Sequence, residues 1–473
     1  MARVRFEYLS DSDREFFHEQ VVRILEEVGV AYNTPTLTSV LAEAGAQVDG
    51  ERLTAKLPWE LVEGCLKQVP DQILLAGRDP AYDRVVGAGE MLYTSDGAAT
   101  YMLDDVTGER HEGTRDDLRR MITLFDAIPE IDFVWATITP GDVDPRVGNL
   151  EIARIALTHG RKHLQDEVRV PDQAPVFIEM LEAIAGAPLR ERPIYSVTNC
   201  TIAPLQHDRE MTEAHIAMAR AGVPVFVLPM PQMGTTGPMS VLGTSILNMA
   251  EMLSAVVLFQ LAAPGCAMLS GVGSAVAEMR SGLYLAGAPE DALINVMCIE
   301  MSKHYGLLSQ GSGVSCDAKA CNLQAGAEGM MTGLACALAG CDVLLAFGLM
   351  DSAQTASLAK AVLDADTVNA IERFLRDDPV DESAALLEDI REVGIGGHYL
   401  SRKSTRRLYR AGELWQPRLW QREPFEHYGG RSLVEEAAAR AEELIATNDV
   451  PPLPDDVARH VDALIAGYLR SKG

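Results

Sequence analysis

Eight cysteines, at positions 65, 200, 266, 298, 316, 321, 336 and 341, are the side chains in this sequence best suited to hold a soft metal or attack a substrate. Cys316 and Cys321 are five apart, Cys336 and Cys341 repeat that gap, and Cys200 lies near His207, so a zinc-held thiol chemistry is one reading. No pair has the C-x2-C spacing of a structural zinc site, and the later pair falls in an apolar helical run and at its exit. The expectation is therefore buried thiols, with no disulfides and no metal ligands. Gly271-Val-Gly273 and Gly311-Ser-Gly313 could cradle a phosphate. Neither leads into the Lys-Ser/Thr of a P-loop, and neither completes a dinucleotide fingerprint. A formal net charge of −27 argues against a nucleic-acid surface, which needs clustered Lys and Arg. It suits a cationic ligand or basic partner, or simply an acidic solvated surface.

The elements that must position such groups are visible as apolar runs. They fall at Ile131–Ile138, Lys162–Val168, Pro193–Asn199, Val223–Pro229, Ala267–Gly271, Leu307–Val314 and Val343–Phe347, with helical segments between. Two such helices are Asp208–Arg220, stopped by Gly222, and Asn322–Leu338, stopped by Gly340. This is the rhythm of repeated βα units, and it predicts an α/β fold, a TIM (β/α)8 barrel. Seven strands are legible, and the eighth is sought near Gly394–Tyr399 or in the N-terminal third. Ser10–Val28 reads as a capped amphipathic helix and Pro35–Ala44 as a second. Turn signals at Asp96-Gly97 and Thr107-Gly108 predict a hairpin layer between Leu92 and Arg110. The expected division is 1–125 for N-terminal helices and hairpin, 126–400 for the barrel core and 401–473 for a C-terminal helical extension. No run of eighteen uninterrupted apolar residues and no apolar leader is seen, so the expected place is the cytoplasm, away from membranes.

Barrel enzymes build their sites at the C-terminal ends of the strands. That rule nominates Thr137, Thr139, Gln165, Asn199, Met230, Gln232, Gly273, Ser312 and Gly348.

Several segments together resemble the trimethylamine methyltransferase family, in its branch without pyrrolysine. They are Asp105-Val-Thr-Gly-Glu-Arg-His-Glu-Gly-Thr-Arg-Asp-Asp117, Ala203-Pro-Leu205, Pro229-Met-Pro-Gln-Met-Gly-Thr-Thr-Gly-Pro238, Asp317-Ala-Lys319 with Gln324-Ala-Gly-Ala-Glu328, and Gly394-Ile-Gly-Gly-His398. The resemblance spans nearly the whole chain, and its specificity lies in the order of the segments. It implies transfer of a methyl group from a quaternary amine of the betaine type to the Co(I) of a corrinoid (cobalamin) carried by a cognate partner protein. No tightly bound cofactor is implied, and a homo-oligomer is expected. In the trimethylamine enzyme of this family pyrrolysine lies in the barrel cavity. The matching place here is expected within Gly311–Lys319, where every residue is ordinary, which disfavours trimethylamine as substrate.

A permanent ammonium charge lets the methyl be attacked directly while a neutral tertiary amine departs, so the enzyme's share is orientation. Ser312 and Ser315, in the late-barrel stretch, are placed at the reaction centre. Cation recognition calls for aromatic faces and negative potential. Tyr93, Asp96, Tyr101, Trp135, Gln165, Asn199, Met230, Gln232, Phe347 and His398 are the candidates for substrate, and Gly273, Gly313 and Gly348 are the glycines that would let the corrinoid face approach. The rival expectations are a non-catalytic betaine-binding or sensor barrel and a zinc-dependent methyltransferase.

Overall fold

A computed structural model describes residues 6–345, 347–430 and 432–473. Eight parallel strands form the core: β1 (Leu92–Thr94), β2 (Val134–Trp135), β3 (Leu164–Asp166), β4 (Tyr195–Ile202), β5 (Val225–Leu228), β6 (Met268–Gly271), β7 (Ser309–Ser312) and β8 (Val343–Leu345). Each pairs with the next. β8 returns to β1 through Val343↔Leu92 and Leu345↔Thr94, and a bridge from Thr94 to Phe133 closes the ring. The ring is therefore closed, with Ser95 Oγ donating to Trp135 O and accepting the Trp135 N–H where β1 meets β2.

All seven predicted strands are present. Residue 346, in the run Val343–Phe347, lies outside the described residues. The eighth strand is the first in sequence, Leu92–Thr94, so the barrel begins ahead of residue 126. The hairpin expected there is shorter and later, pairing Tyr101–Leu103 with Arg110–Glu112 and lying beside Thr355–Ala356. Gly394–Tyr399 holds no strand and is solvent-exposed.

Helices α1 (Arg115–Ala127), α2 (Gly148–His159), α3 (Ala174–Ala185), α4 (Arg209–Arg220), α5 (Val241–Ala262), α6 (Pro289–His304), α7 (Leu323–Ala339) and α8 (Leu358–Leu375) follow the strands in turn. Their starts are set by side-chain caps: Thr114 and Asp117 form a reciprocal capping box, and Asp208, Ser240, Asn322 and Ser357 each accept a backbone N–H of the first turn. α7 ends on Gly340, whose φ of 79° is cheap only for glycine. By length and composition α5 could cross a membrane. Here it is a buried barrel helix whose Glu251 accepts from Thr201 Oγ1 and, at 2.8 Å, from Leu205 N–H.

At the N-terminal ends of the strands, the hairpin Ile73–Leu75 with Arg84–Val86 plugs the barrel. Its Ile73, Leu75 and Val86 pack with Leu92, Phe133, Phe226, Leu269 and Val343 in a wholly buried layer. Burying each such side chain contributes about 1.5–3 kcal/mol. The floor is thereby sealed, and access is left to the opposite mouth.

Candidate active site at the barrel mouth

Above the apolar plug the interior turns polar. Gln165 donates to Thr198 Oγ1 at 2.8 Å, while Thr94 Oγ1, Gln165 Oε1 and both amide atoms of Gln310 are buried without a protein partner. Over this belt, Trp135, Leu228 and Leu345 form a second apolar layer with Cys200 against it. The nominations of Gln165 and Trp135 thus hold as interior positions, one layer apart.

Asp96 follows β1, and its Oδ1 accepts the Gly97 N–H at 2.8 Å. Burial pushes its carboxyl up to about 6. Asp166 ends β3 beside the Trp135 indole, and Asp291 lies in the first turn of α6. Burial holds both carboxyls well above the ordinary range, and Oδ2 of each has no partner. Tyr284, from the excursion between β6 and α6, donates to Gly273 O at 3.1 Å and lies within electrostatic reach of Asp291, Asp96, Asp317 and Cys200. Sequence reasoning missed Asp166, Asp291 and Tyr284. Asp166 adjoins a nominated residue, but nothing local marked the other two.

The roof comes from the loops after β7 and β8. Ser312 Oγ donates to Val272 O at 2.6 Å and its N–H donates to Asn295 Oδ1, which fixes the strand end. Asp96, Gly313, Val314, Ser315, Cys316 and Phe347 surround a void of about 20 Å3, room for one water. Val314, Phe347, Asp351, Ser352 and Ala353 all have φ between 52° and 66°. Left-handed backbone at non-glycine residues costs on the order of 1 kcal/mol each and collects where function over-determines the chain. Asp317, held by the Ala286 and Gly287 N–H groups and Ser352 Oγ, ties the two roof loops together.

Other nominated residues lie elsewhere. Tyr93 faces out at the sealed end beside Glu372, because inward and outward residues alternate and its neighbours Leu92 and Thr94 point in. Tyr101 sits on the hairpin with the Arg110 guanidinium 4.1 Å from its ring centroid. Asn199 is mid-strand and meets His215 of α4 at 3.0 Å, since β4 runs on to Ile202. Gly348 faces Met121 and Phe125, where a Cβ would stand 3.0 and 3.3 Å away, so its glycine serves packing beneath α1 and not acceptor approach. His398 is exposed in the segment after α8, which is tied to the sealed end through Arg418 and Glu130 at 2.9 Å. Met230 and Gly273 are at the mouth, in near contact. Gln232 is on the adjoining turn with Thr235, and Thr137 Oγ1 donates to Asp96 O at 2.9 Å. Gly313 lines the void, yet it also admits Gly333 of α7 to within 3.0 Å of its missing Cβ.

The mouth lacks the usual reactive groups. All eight cysteines are free thiols; burial pushes Cys321 and Cys341 up to about 12 and Cys200 higher still, so none offers a thiolate at neutral pH. Burial lowers the buried His163 and His207 to about 4 and His215 to about 3, and each is engaged by neighbouring polar atoms. Among the described residues no His/Cys/Asp/Glu group could hold a metal ion. The arrangement can bind, enclose and aim a cation.

A model of the trimethylamine methyltransferase (MTTB) family matches residues 2–472. Trimethylamine methyltransferase MttB of Desulfitobacterium hafniense is 28% identical over 461 residues, covering 96% of this chain and 92% of the relative. The glycine betaine methyltransferase of Desulfitobacterium hafniense strain Y51 is 28% identical over 475 residues, covering 99% and 98%. The monomethylamine methyltransferase MtmB of Methanosarcina barkeri superposes with a TM-score of 0.54 at 12% identity, covering 95% of this chain and 90% of that one, a likeness in fold alone. The family read from the ordered motifs is confirmed along the full length: this chain belongs to the trimethylamine methyltransferase family and is a methyltransferase.

Proposed function

We propose that the protein takes a methyl group from a quaternary amine and delivers it to the Co(I) of a corrinoid carried by a separate partner protein. The observation that carries this reading is a mouth that sets the Trp135 indole close to carboxyls of which Oδ2 of Asp166 and of Asp291 is buried without a protein partner. A quaternary ammonium needs no general acid, because the C–N pair stays on nitrogen and the leaving amine is neutral. What the protein must supply is enclosure and aim, worth many orders of magnitude in effective concentration. The names of two relatives, a trimethylamine and a glycine betaine methyltransferase, support a methylated-amine donor. The corrinoid would approach over Gly273 and Gly313, with Ser312 and Ser315 beside the transferred methyl.

The eight free thiols support a reducing, cytoplasmic setting. A homo-oligomer is supported by the exposed apolar side chains of the segment after α8, among them Val380, Ile395, Leu400 and Phe425, each more than four-fifths exposed. Donor carrying 13C in its N-methyl groups, incubated with the protein and reduced cobalamin, should yield a labelled methyl on cobalt and the demethylated tertiary amine. Binding of the donor without either product would instead identify a sensor barrel.

A further inference from the structure

The mouth carries one sign of charge. Asp96, Asp166 and Asp291 come from three separate elements, and Oδ2 of Asp166 and of Asp291 is unpartnered although these residues are only 6% and 1% exposed. The Trp135 indole packs against Gly97, next to Asp96, and Asp291 sits one turn before Asn295, which donates to Asp291 O and accepts the Ser312 N–H, so these carboxyls gather at one mouth over the apolar layer of Trp135, Leu228 and Leu345. Among the described residues several cations near it are already engaged, while the Arg280 guanidinium, on the excursion that carries Tyr284, is exposed to solvent. Lys360 is paired with Asp364 at 2.5 Å, Arg169 with Glu167 at 2.8 Å, Arg110 with Asp351 at 2.9 Å, and Lys319 also with Asp351.

Resting on the methyl-transfer reading, we infer that the methyl donor is a quaternary ammonium cation without a carboxylate of its own, such as a choline-type alcohol or a tetraalkylammonium. A betaine's carboxylate would have to settle among the aspartates, where among the described residues the buried ammoniums, Lys162 and Lys360, are both engaged, whereas a simple cation meets the unpartnered oxygens directly. Burial favours protonated carboxyls; an entering cation favours their charged form and drives the protons out. When the C–N bond breaks, its electron pair stays on nitrogen, and the methyl carbon bonds to cobalt with the pair supplied by Co(I), which becomes Co(III). The amine left behind is neutral. The carboxylates lose their counter-charge, and the product loses its hold.

The test uses the full chain, free Co(I) cobalamin as acceptor, and choline, tetramethylammonium and glycine betaine as donors. Methyl-cobalt formation is followed alongside calorimetric binding at pH 6 in two buffers of different ionisation enthalpy. The expected result is a kcat/KM for choline or tetramethylammonium at least tenfold above that for glycine betaine, with proton release on binding. Asp291→Asn and, independently, Asp96→Asn should abolish most of that preference and reduce the proton release. A tenfold preference for glycine betaine would overturn the inference while leaving methyl transfer intact. Should no donor methylate cobalt, the methyl-transfer reading fails, and calorimetry still decides the charge inference: tighter binding of the simple cations upholds it, and tighter binding of the betaine overturns it.

Discussion

The Trp135 indole lies so close to Gly97 that a Cβ built on that glycine would fall 2.2 Å from Trp135 Cε2. The ring is thereby pressed against the turn that carries Asp96, and the glycine after Asp96 is what lets an aromatic face and a carboxyl share one wall. Gly97→Ala should displace the indole, raise the donor's KM at least tenfold, and lower stability by about 1–3 kcal/mol, the usual cost of overpacking. Calorimetric binding together with a denaturant midpoint would separate the two effects.

Asp96 predicts a pH dependence. The folded state holds its proton up to about 6, while the unfolded chain releases it near the ordinary carboxylate value, so stability falls as pH rises across that window. Asp96→Asn removes the cost of the buried charge. The variant should be more stable than wild type at pH 8 by on the order of 1–2 kcal/mol, with no advantage at pH 4. Donor binding runs the other way: wild-type KM for a cationic donor should fall as pH rises through about 6, and this dependence should flatten in the variant. A steeper dependence in Asp96→Asn would remove Asp96 from the site.

Tyr93 and Trp135, both nominated as cation-binding aromatics, should part company. Tyr93→Ala empties space at the sealed end and should cost about 3 kcal/mol of stability with KM changed less than twofold. Trp135→Ala should raise KM by tenfold or more. Equal effects on KM would contradict the placement of the two rings.

Late-barrel positions divide in the same way. Ser312→Phe should depress kcat at least a hundredfold, with the melting transition little changed, because it fills the mouth. Gly348→Val, at φ +88° against Met121 and Phe125, should lower the melting temperature and leave the KM of the remaining folded enzyme near wild type.

The exposed apolar segment after α8 is predicted to be covered by another copy of this chain. Sedimentation of wild type should show an oligomer, and the double variant Ile395→Asp, Leu400→Asp should shift it toward monomer. A monomeric wild type would contradict that reading.

Seven strands were legible because each is an apolar run bounded by turn residues, as in Val225–Leu228. Leu92–Thr94 was not, since three residues beside a glycine-marked turn read equally well as the arm of a hairpin, and only closure of the ring identifies it. Of the strand-end nominations, Gln165 lies in the barrel interior and Ser312 and Gly273 at the mouth, while Trp135, nominated as an aromatic, also faces inward. The strand-end rule failed at Asn199, where the strand outruns its apolar run by three residues, to Ile202. Tyr284 belongs to the long excursion between β6 and α6 and Asp291 to the first turn of α6, and their return to the mouth is a matter of tertiary packing that no local pattern encodes. His398 matched a family motif, but a motif does not say on which end of the barrel its segment lies.

The most direct test of the account is absorbance of Co(I) cobalamin mixed with the protein and a quaternary amine donor, alone and with a corrinoid protein. The account predicts loss of the Co(I) band with matching growth of methyl-Co(III), at a rate that saturates with donor and vanishes when Ser312→Phe replaces the wild type. A Co(I) spectrum unchanged by every quaternary amine that calorimetry shows to bind would contradict it.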